Sequence, residues 1–356
     1  MWIENNIFHE DMQDIAKASY IPWKKLQDKT ILITGATGLI GFNLVSALAY
    51  VALYKDIALK IIALVRDEEQ AKKRFHEILT AGAPLRFLVG DLNHIPTVEE
   101  KIDYIIHGGS PTASRYFSEH PVETIMTNLN GATNLLEVAR KNQSEGFLFL
   151  SSMEVYGGIH CREKIDEQHA SFVDTMVPRS SYPEVKRMVE SLCACYADEY
   201  GVPAKSIRLT QTFGAGIRRT ENRVFAQFAR SAMNHKNIVM FTKGGTEHSY
   251  LYTADAVSAI LTVLLKGAAG EAYNAANEQA YCSIKQMAET VANLDIIKEK
   301  YNGPVSVVID ESKNNGKMYP PELYMDLDTK KIQKMGWKAR VGLEDMFTRM
   351  ILTMEA

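Results

Sequence analysis

At 356 residues, 46% of them hydrophobic and 23% charged, the chain has the composition of an ordinary soluble globular protein and enough length for two domains. A formal net charge of −3 excludes the electrostatic footprint of a binder of nucleic acid or anionic membrane. No basic region followed by an apolar core opens the sequence, and apolar runs such as NLVSALAYVALY fall short of the ~20 residues that cross a bilayer.

Residues 1–28 carry an amphipathic pattern (Ile7, Met12, Ile15, Ala16) that ends near Pro22. This reads as a helical extension packed on the domain that follows, with a regulatory or partner-binding role as the alternative. Next comes KTILITGATGLIG, Lys29 to Gly41. Ile31, Leu32 and Ile33 predict a buried parallel strand, Gly35, Gly38 and Gly41 a tight turn, and Leu44, Val45, Leu48 and Ala49 a helix. Strand, glycine turn and helix together predict the first βα unit of a dinucleotide-binding fold. There the backbone approaches a pyrophosphate held on free N–H groups at the helix N-terminus. The spacing is G-x-x-G-x-x-G, so the usual G-x-G-x-x-G fingerprint is not met literally.

A second strand, Leu59 to Val65, ends at Arg66-Asp67, where the adenosine ribose is expected. An acidic residue there suits NAD, and an arginine suits the 2′-phosphate of NADP. Arg66 is therefore either a phosphate contact or a solvated strand end, and Asp67 is a second candidate for the ribose. The third strand, Arg86 to Val89, leads to Asp91-Leu92, with Asp91 either accepting from the adenine amino group or capping a turn. The fourth, Asp103 to His107, leads to Gly108-Gly109-Ser110, small residues that let a cofactor pass close to the backbone. A helix over PVETIMTNLNGATNLLEVARK follows, and then strand five, Gly146 to Leu150, running into Ser151-Ser152-Met153-Glu154. Alternating strands and helices predict a doubly wound parallel sheet, with ligands beyond the C-terminal strand ends.

Tyr182 and Lys186 in SSYPEVK lie four apart on a predicted helix and so share a face. A lysine beside a phenol lowers a pKa that is ordinarily about 10, which makes Tyr182 a candidate general base. The alternative is a surface pair. Cys161, Cys193, Cys195 and Cys282 show no metal-ligand or disulfide spacing and read as free thiols of a cytoplasmic protein, and no metal site is expected.

On these motifs the chain resembles the extended short-chain dehydrogenase/reductases of the NAD-dependent nucleotide-sugar epimerase, dehydratase and decarboxylase branch. The matching pieces are TGATGLIG (34–41), GDL (90–92), IIHGGS (105–110), PVETIMTNLNGATNLLE (121–137), SSMEVYG (151–157) and SYPEVK (181–186). RLTQTFGAG (208–216), YLYTADAV (250–257) and LDTKKIQKMGW (327–337) complete the set. The resemblance implies a Rossmann-type fold with a smaller C-terminal substrate-binding lobe. The expected division is residues 1–28 as extension, 29–212 as dinucleotide-binding domain and 213–356 mainly as substrate lobe, with 248–283 returning to the first domain.

It further implies NAD held by Gly35, Thr37, Gly38, Leu39, Ile40, Gly41, Asp91, Leu92, Gly108, Gly109, Ser110, Tyr182 and Lys186, with Arg66 leaving NADP open. Tyr182 would take the proton of a sugar 4-hydroxyl while hydride leaves C4. Ser152 would hold that oxygen, and Lys186 would hold the nicotinamide ribose. Glu154 is the residue expected to discriminate among reactions: the dehydratases of the branch carry an Asp-Glu pair where this chain has Met153-Glu154. Retention of the glutamate without the acid favours decarboxylation over dehydration, and the bland alternative for Glu154 is a structural salt bridge. Gln211 stands where the branch has a diphosphate-binding Asn, and His248 where it has an arginine. Arg218, Arg219 and Arg223 are candidates to restore the charge, Arg223 first.

The function expected is therefore modification of a nucleoside-diphosphate sugar through transient C4 oxidation, of the UDP-glucuronate decarboxylase or 4,6-dehydratase kind. A 4-epimerase, an NADPH-dependent ketone reductase and a non-catalytic dinucleotide-sensing scaffold are the alternatives. A homodimer formed through the helices around 122–140 and 182–200 is implied.

Overall fold

The computed structural model describes residues 5–110, 114–313 and 322–354. Its centre is a seven-stranded, wholly parallel sheet made of β1 (Lys29–Thr34), β2 (Leu59–Val65), β3 (Leu85–Val89), β4 (Tyr104–His107), β5 (Gly146–Ser152), β6 (Ala204–Leu209) and β7 (Ala272–Ala275), in the order β7-β6-β5-β4-β1-β2-β3. The order reverses between β1 and β4, which opens a crevice at their C-terminal ends.

Side-chain alternation along β1 explains why helices cover both faces. Ile31 and Ile33 enter one core with residues of the helices Leu39–Tyr54 and Thr253–Lys266. Leu32 enters the other with Leu135, Leu136, Val185 and Val189 of the helices Pro121–Asn142 and Ser181–Tyr200. The central strands β1, β4 and β5 are buried on both sides, as a doubly wound sheet requires, whereas the edge strand β3 exposes Arg86 and Val89.

A second sheet contains the strands Asn277–Ser283, Glu247–Tyr252, Tyr324–Leu327 and Lys164–Ile165, with Gln211–Phe213 paired to Glu247–Tyr252. The expected return of 248–283 to the main sheet is made by its middle portion: the helix Thr253–Lys266 lies on that sheet and β7 extends its edge. The strands at both ends of the segment belong to the second sheet, because their backbone hydrogen bonds are taken up by one another and by Gln211–Phe213. The short apolar runs around Ile238–Met240 and Val307–Ile309 pair with each other. The loop expected near 314–317 lies outside the described residues.

The N-terminal helix, Asn6–Lys17, is capped by Asn5, whose Oδ1 accepts from the amides of Ile7 and Phe8 at 3.0 and 3.2 Å. Its buried positions Phe8, Asp11, Met12, Ile15 and Ala16 follow the three-and-four spacing of one helix face. That face packs on the helices Leu39–Tyr54, Thr253–Lys266 and Leu343–Met354. Proline 22 marks the end of this segment, before a short turn over Trp23–Leu26.

Candidate active site

The crevice between β1 and β4 deepens into a cavity of about 850 Å³ that runs from the glycine turn to the ends of β5 and β6. At its first end Gly35 has φ +72°, and a side chain there would meet the carbonyl of Gly108 at 2.5 Å. A methyl on Gly41 would collide with the carbonyl of Gly35. No side chain caps the N-terminus of the helix Leu39–Tyr54, so its first amides are offered to the cavity. A backbone cradle without side chains, ending in uncapped amides at the positive end of a helix, fits the pyrophosphate of a dinucleotide.

The opposite wall of the cradle is fixed from beneath. Thr34 Oγ1 accepts from the amide of Gly109 at 3.0 Å and lies 2.8 Å from His107 Nδ1. Burial, aided by Lys186, pushes His107 down to about 3, so the imidazole that meets the threonine hydroxyl is neutral.

At the far end β5 runs two residues beyond the strand expected from sequence and delivers Ser152 to the cavity. Its Oγ accepts from the amide of Glu154 at 3.2 Å, which forms the turn Met153–Tyr156 and leaves the hydroxyl proton for another acceptor. Glu154 accepts two hydrogen bonds from Arg179 Nη2, at 2.9 and 3.2 Å. The Arg179 guanidinium lies 4.9 Å over the ring of Phe117, whose ring stacks on Tyr182 at 4.2 Å with 12° between the planes. Lys186 is buried, donates to the carbonyl of Leu150 at 2.9 Å and stands 5.5 Å from the centre of the Tyr182 ring.

The electrostatics differ from the sequence expectation. Burial is the largest effect on Tyr182 and, with Glu154, raises its phenol above the ordinary range, while Ser152, Arg179 and Arg223 pull it down. Lys186 does not offset this, because its ammonium leans on a backbone carbonyl and over ring faces, and burial pushes it down to about 7. In the ligand-free protein Tyr182 therefore holds its proton at neutral pH.

The cavity wall brings together Gly35, Thr37, Gly38, Leu39, Ile40, Gly41, Arg66, Asp91, Leu92, Gly108, Gly109, Ser110, Ser152, Glu154, Tyr182, Lys186, Gln211 and Arg223. Asp91 Oδ1 accepts from the amides of Asn93 and His94, so it also caps the turn after β3. Asp67 caps the helix Glu68–Arg74 through the amide of Gln70, and of the pair Arg66-Asp67 it is the exposed Arg66 that lines the cavity. Arg223 pairs with Glu221 at 2.8 Å. His248 is the exception: it is not part of the wall. It lies on the strand Glu247–Tyr252 edge-on to Tyr250, its Nδ1 is buried without a partner among the described residues, and burial lowers it to about 4. At neutral pH it is therefore uncharged and cannot supply the positive charge expected at this position. Arg218 and Arg219 are likewise absent from the wall.

Sequence reading missed Arg179 and Phe117. Arg179 stands three residues before Tyr182, in the turn Pro178–Ser180, and proximity to the candidate tyrosine was the available signal. Nothing in the pattern around Phe117 distinguishes it from a core residue.

Comparison with known proteins agrees with this geometry. The NAD dependent epimerase/dehydratase family matches residues 31–276. The chain belongs to that family. UDP-glucuronic acid decarboxylase 1 of Xenopus tropicalis is 25% identical over 96% of this chain and 77% of its own length. The dTDP-D-glucose 4,6-dehydratase of Mus musculus is 26% identical over 89% of this chain and 86% of its own. Among solved structures, an epimerase of Methanothermobacter thermautotrophicus shares the fold at a TM-score of 0.75 and 19% identity, covering 96% of this chain and 94% of that one. UDP-glucuronic acid 4-epimerase of Bacillus cereus, in complex with NAD, does so at 0.71 and 18%, covering 92% and 98%. The protein is thus an enzyme of the epimerase/dehydratase family with the extended short-chain dehydrogenase/reductase fold. Among the described residues no helix is long and apolar enough to cross a membrane.

Proposed function

We propose that this family member modifies a nucleoside-diphosphate sugar through transient oxidation at C4, with NAD recycled in place, and that its reaction is of the UDP-glucuronate decarboxylase kind. The observation that carries the reading is the meeting of Ser152, Glu154, Tyr182 and Lys186 in the cavity that begins at the glycine cradle. In this reading Gly35 to Gly41 hold the pyrophosphate, Asp91 and Leu92 the adenine end, and Gly108 to Ser110 with Lys186 the ribose and nicotinamide end. Held by these residues, NAD would supply the reversible hydride acceptor that oxidation at C4 requires.

Ser152 directs its free hydroxyl proton to the sugar 4-oxygen, and Tyr182 takes the proton of the 4-hydroxyl and later returns it. Tyr182 is protonated in the ligand-free protein, so its activation belongs to the loaded site. The 4-ketone accepts the electron pair released when the C5 carboxylate leaves as carbon dioxide, and the resulting enolate takes a proton from water at C5, which restores the 4-ketone that hydride return then reduces. Glu154, held by Arg179, stands ready to move a proton on the substrate side. Met153 lies beside it and offers no proton to a departing 6-hydroxyl, which argues against dehydration. Gln211 and Arg223 face the sugar diphosphate in this reading, and His248, outside the wall, takes no part.

Arg66, exposed at the mouth, supports a second reading in which NADPH is consumed in ketone reduction. Tightly retained NAD in the purified protein counts against it, and stoichiometric NADPH consumption counts for it. Exposed Val122, Ile125 and Met126 on one packed helix and Met188 on its neighbour support a homodimer through these helices. Four free cysteines are in keeping with a reducing, cytoplasmic setting. Incubation with UDP-, dTDP-, GDP- and CDP-sugars, read by mass spectrometry, tests the main reading. Loss of carbon dioxide from UDP-glucuronate is expected. Loss of water would make the enzyme a dehydratase, an unchanged mass with a new sugar would make it an epimerase, and no change in any of them would end the reading.

A further inference from the structure

The segment from Gln211 to Arg223 connects two residues of the cavity wall, and between them the chain turns at Gly214–Ile217. This turn is gripped from three directions. From the cofactor side, Asn43 Nδ2 donates to the carbonyl of Leu39 at 2.9 Å and to that of Ala215 at 3.2 Å. Arg74, lying 4.0 Å over the ring of Phe42, donates to the carbonyl of Gly216 at 3.4 Å. From the second sheet, the ring of Tyr252 occupies the space where a Gly214 side chain would stand, and Gly214 has φ +149°. From the N-terminal helix, the fully buried Phe8 closes on Gly216 and meets Phe42 edge-on at 5.7 Å.

The grips are linked to one another. Tyr252 donates its hydroxyl to Asp11 Oδ2 at 2.6 Å, and Arg349 donates to Asp11 Oδ1 at 3.0 Å. Asp11 is buried, so its loss would strand the Tyr252 hydroxyl in an environment where an unpaired donor is costly. Phe8 and Asp11 stand three apart on the buried face of one helix, outside the matched family region of 31–276, and both lead to the same turn.

We infer that the helix Asn6–Lys17 is a positioning element of the active site: through Asp11–Tyr252 and through Phe8 it locks the 214–217 turn, and so fixes Gln211 and Arg223 against the cofactor helix Leu39–Tyr54. Neither Phe8 nor Asp11 touches the cavity. The assignment rests on the proposed function for its kinetic readout alone, since the state of the turn is measurable without any substrate.

The experiment uses the full chain with Asp11→Ala, Asp11→Asn and Tyr252→Phe. An asparagine oxygen still accepts the tyrosine hydroxyl, giving up only the bond from Arg349, whereas alanine cannot and phenylalanine has nothing to donate. Amide hydrogen exchange across 211–223 should quicken about five-fold in D11A and Y252F, the scale of one lost hydrogen bond, and stay near the wild-type rate in D11N. With UDP-glucuronate as the probe, KM should rise by a similar factor of about five in the same two variants, with kcat nearly unchanged. Unchanged exchange at 211–223 in D11A and Y252F, with only a lower melting temperature, would overturn the inference and leave the helix a structural cover. If the wild-type chain leaves UDP-glucuronate untouched, the proposed reaction fails and the exchange rates alone decide the clamp.

Discussion

Arg179 joins the two groups on which the proposed chemistry turns. It donates to both oxygens of Glu154 and, across Phe117, acts on the phenol of Tyr182. A carboxylate beside a buried phenol raises the phenol's pKa, so the arginine offsets a penalty the glutamate itself imposes. Removing the arginine should therefore harm Tyr182 chiefly through Glu154. In Arg179→Met the pH at which kcat reaches its plateau should move upward and the plateau itself should fall about ten-fold, the scale of one charge-assisted hydrogen bond. Arg179→Lys should recover part of both. Adding Glu154→Gln to Arg179→Met should cost less than the sum of the single losses, because the pair acts as a unit. Strict additivity would show that the ion pair is structural and has no bearing on the tyrosine.

At the scale of elements, the N-terminal helix carries its own titration. Burial, with smaller contributions from Asp255 and Asp14, outweighs the Tyr252 hydroxyl and Arg349 and raises Asp11 from 3.8 to about 7. The folded chain therefore binds this proton more tightly than the unfolded chain, and the contribution is complete below the ordinary carboxylate range and lost as pH rises through about 7. Asp255, raised to about 6 mainly by burial, acts with the same sign. His107 and His248 are lowered and act oppositely, but both are neutral in either state once pH exceeds ~6.5. Thermal melts of wild type and D11N isolate the Asp11 contribution. The wild-type melting temperature, relative to D11N, should fall by about 2–4 °C as pH rises from about 5 to about 8. A difference that does not change with pH would mean that Asp11 stays ionised throughout.

For the whole molecule, what could be read from sequence was what is local. The β-branched run at Ile31–Ile33, the glycine spacing and the Tyr182–Lys186 interval each lie within one element, so the parallel sheet and most of the cavity wall followed from them. What escaped depends on where separate elements meet. Arg179 acquires its role from Glu154, twenty-five residues earlier, and Phe117 from its stacking on Tyr182. His248 was expected on its motif to meet a diphosphate, yet it lies outside the wall and burial leaves it neutral. The expected fall in the Tyr182 pKa reversed for the same reason: helix spacing placed Lys186 nearby, but burial and the orientation of its ammonium decided the sign.

The central claim is that hydride leaves C4 of a nucleotide sugar and returns to the same sugar. UDP-glucuronate carrying deuterium at C4 tests it most directly, with the product analysed by mass spectrometry and the cofactor content measured before and after. The account predicts that carbon dioxide is lost, that the deuterium stays in the sugar and that no net NADH or NADPH is formed or consumed. Washout of the label into solvent, or turnover that consumes one reduced cofactor per product, would contradict it.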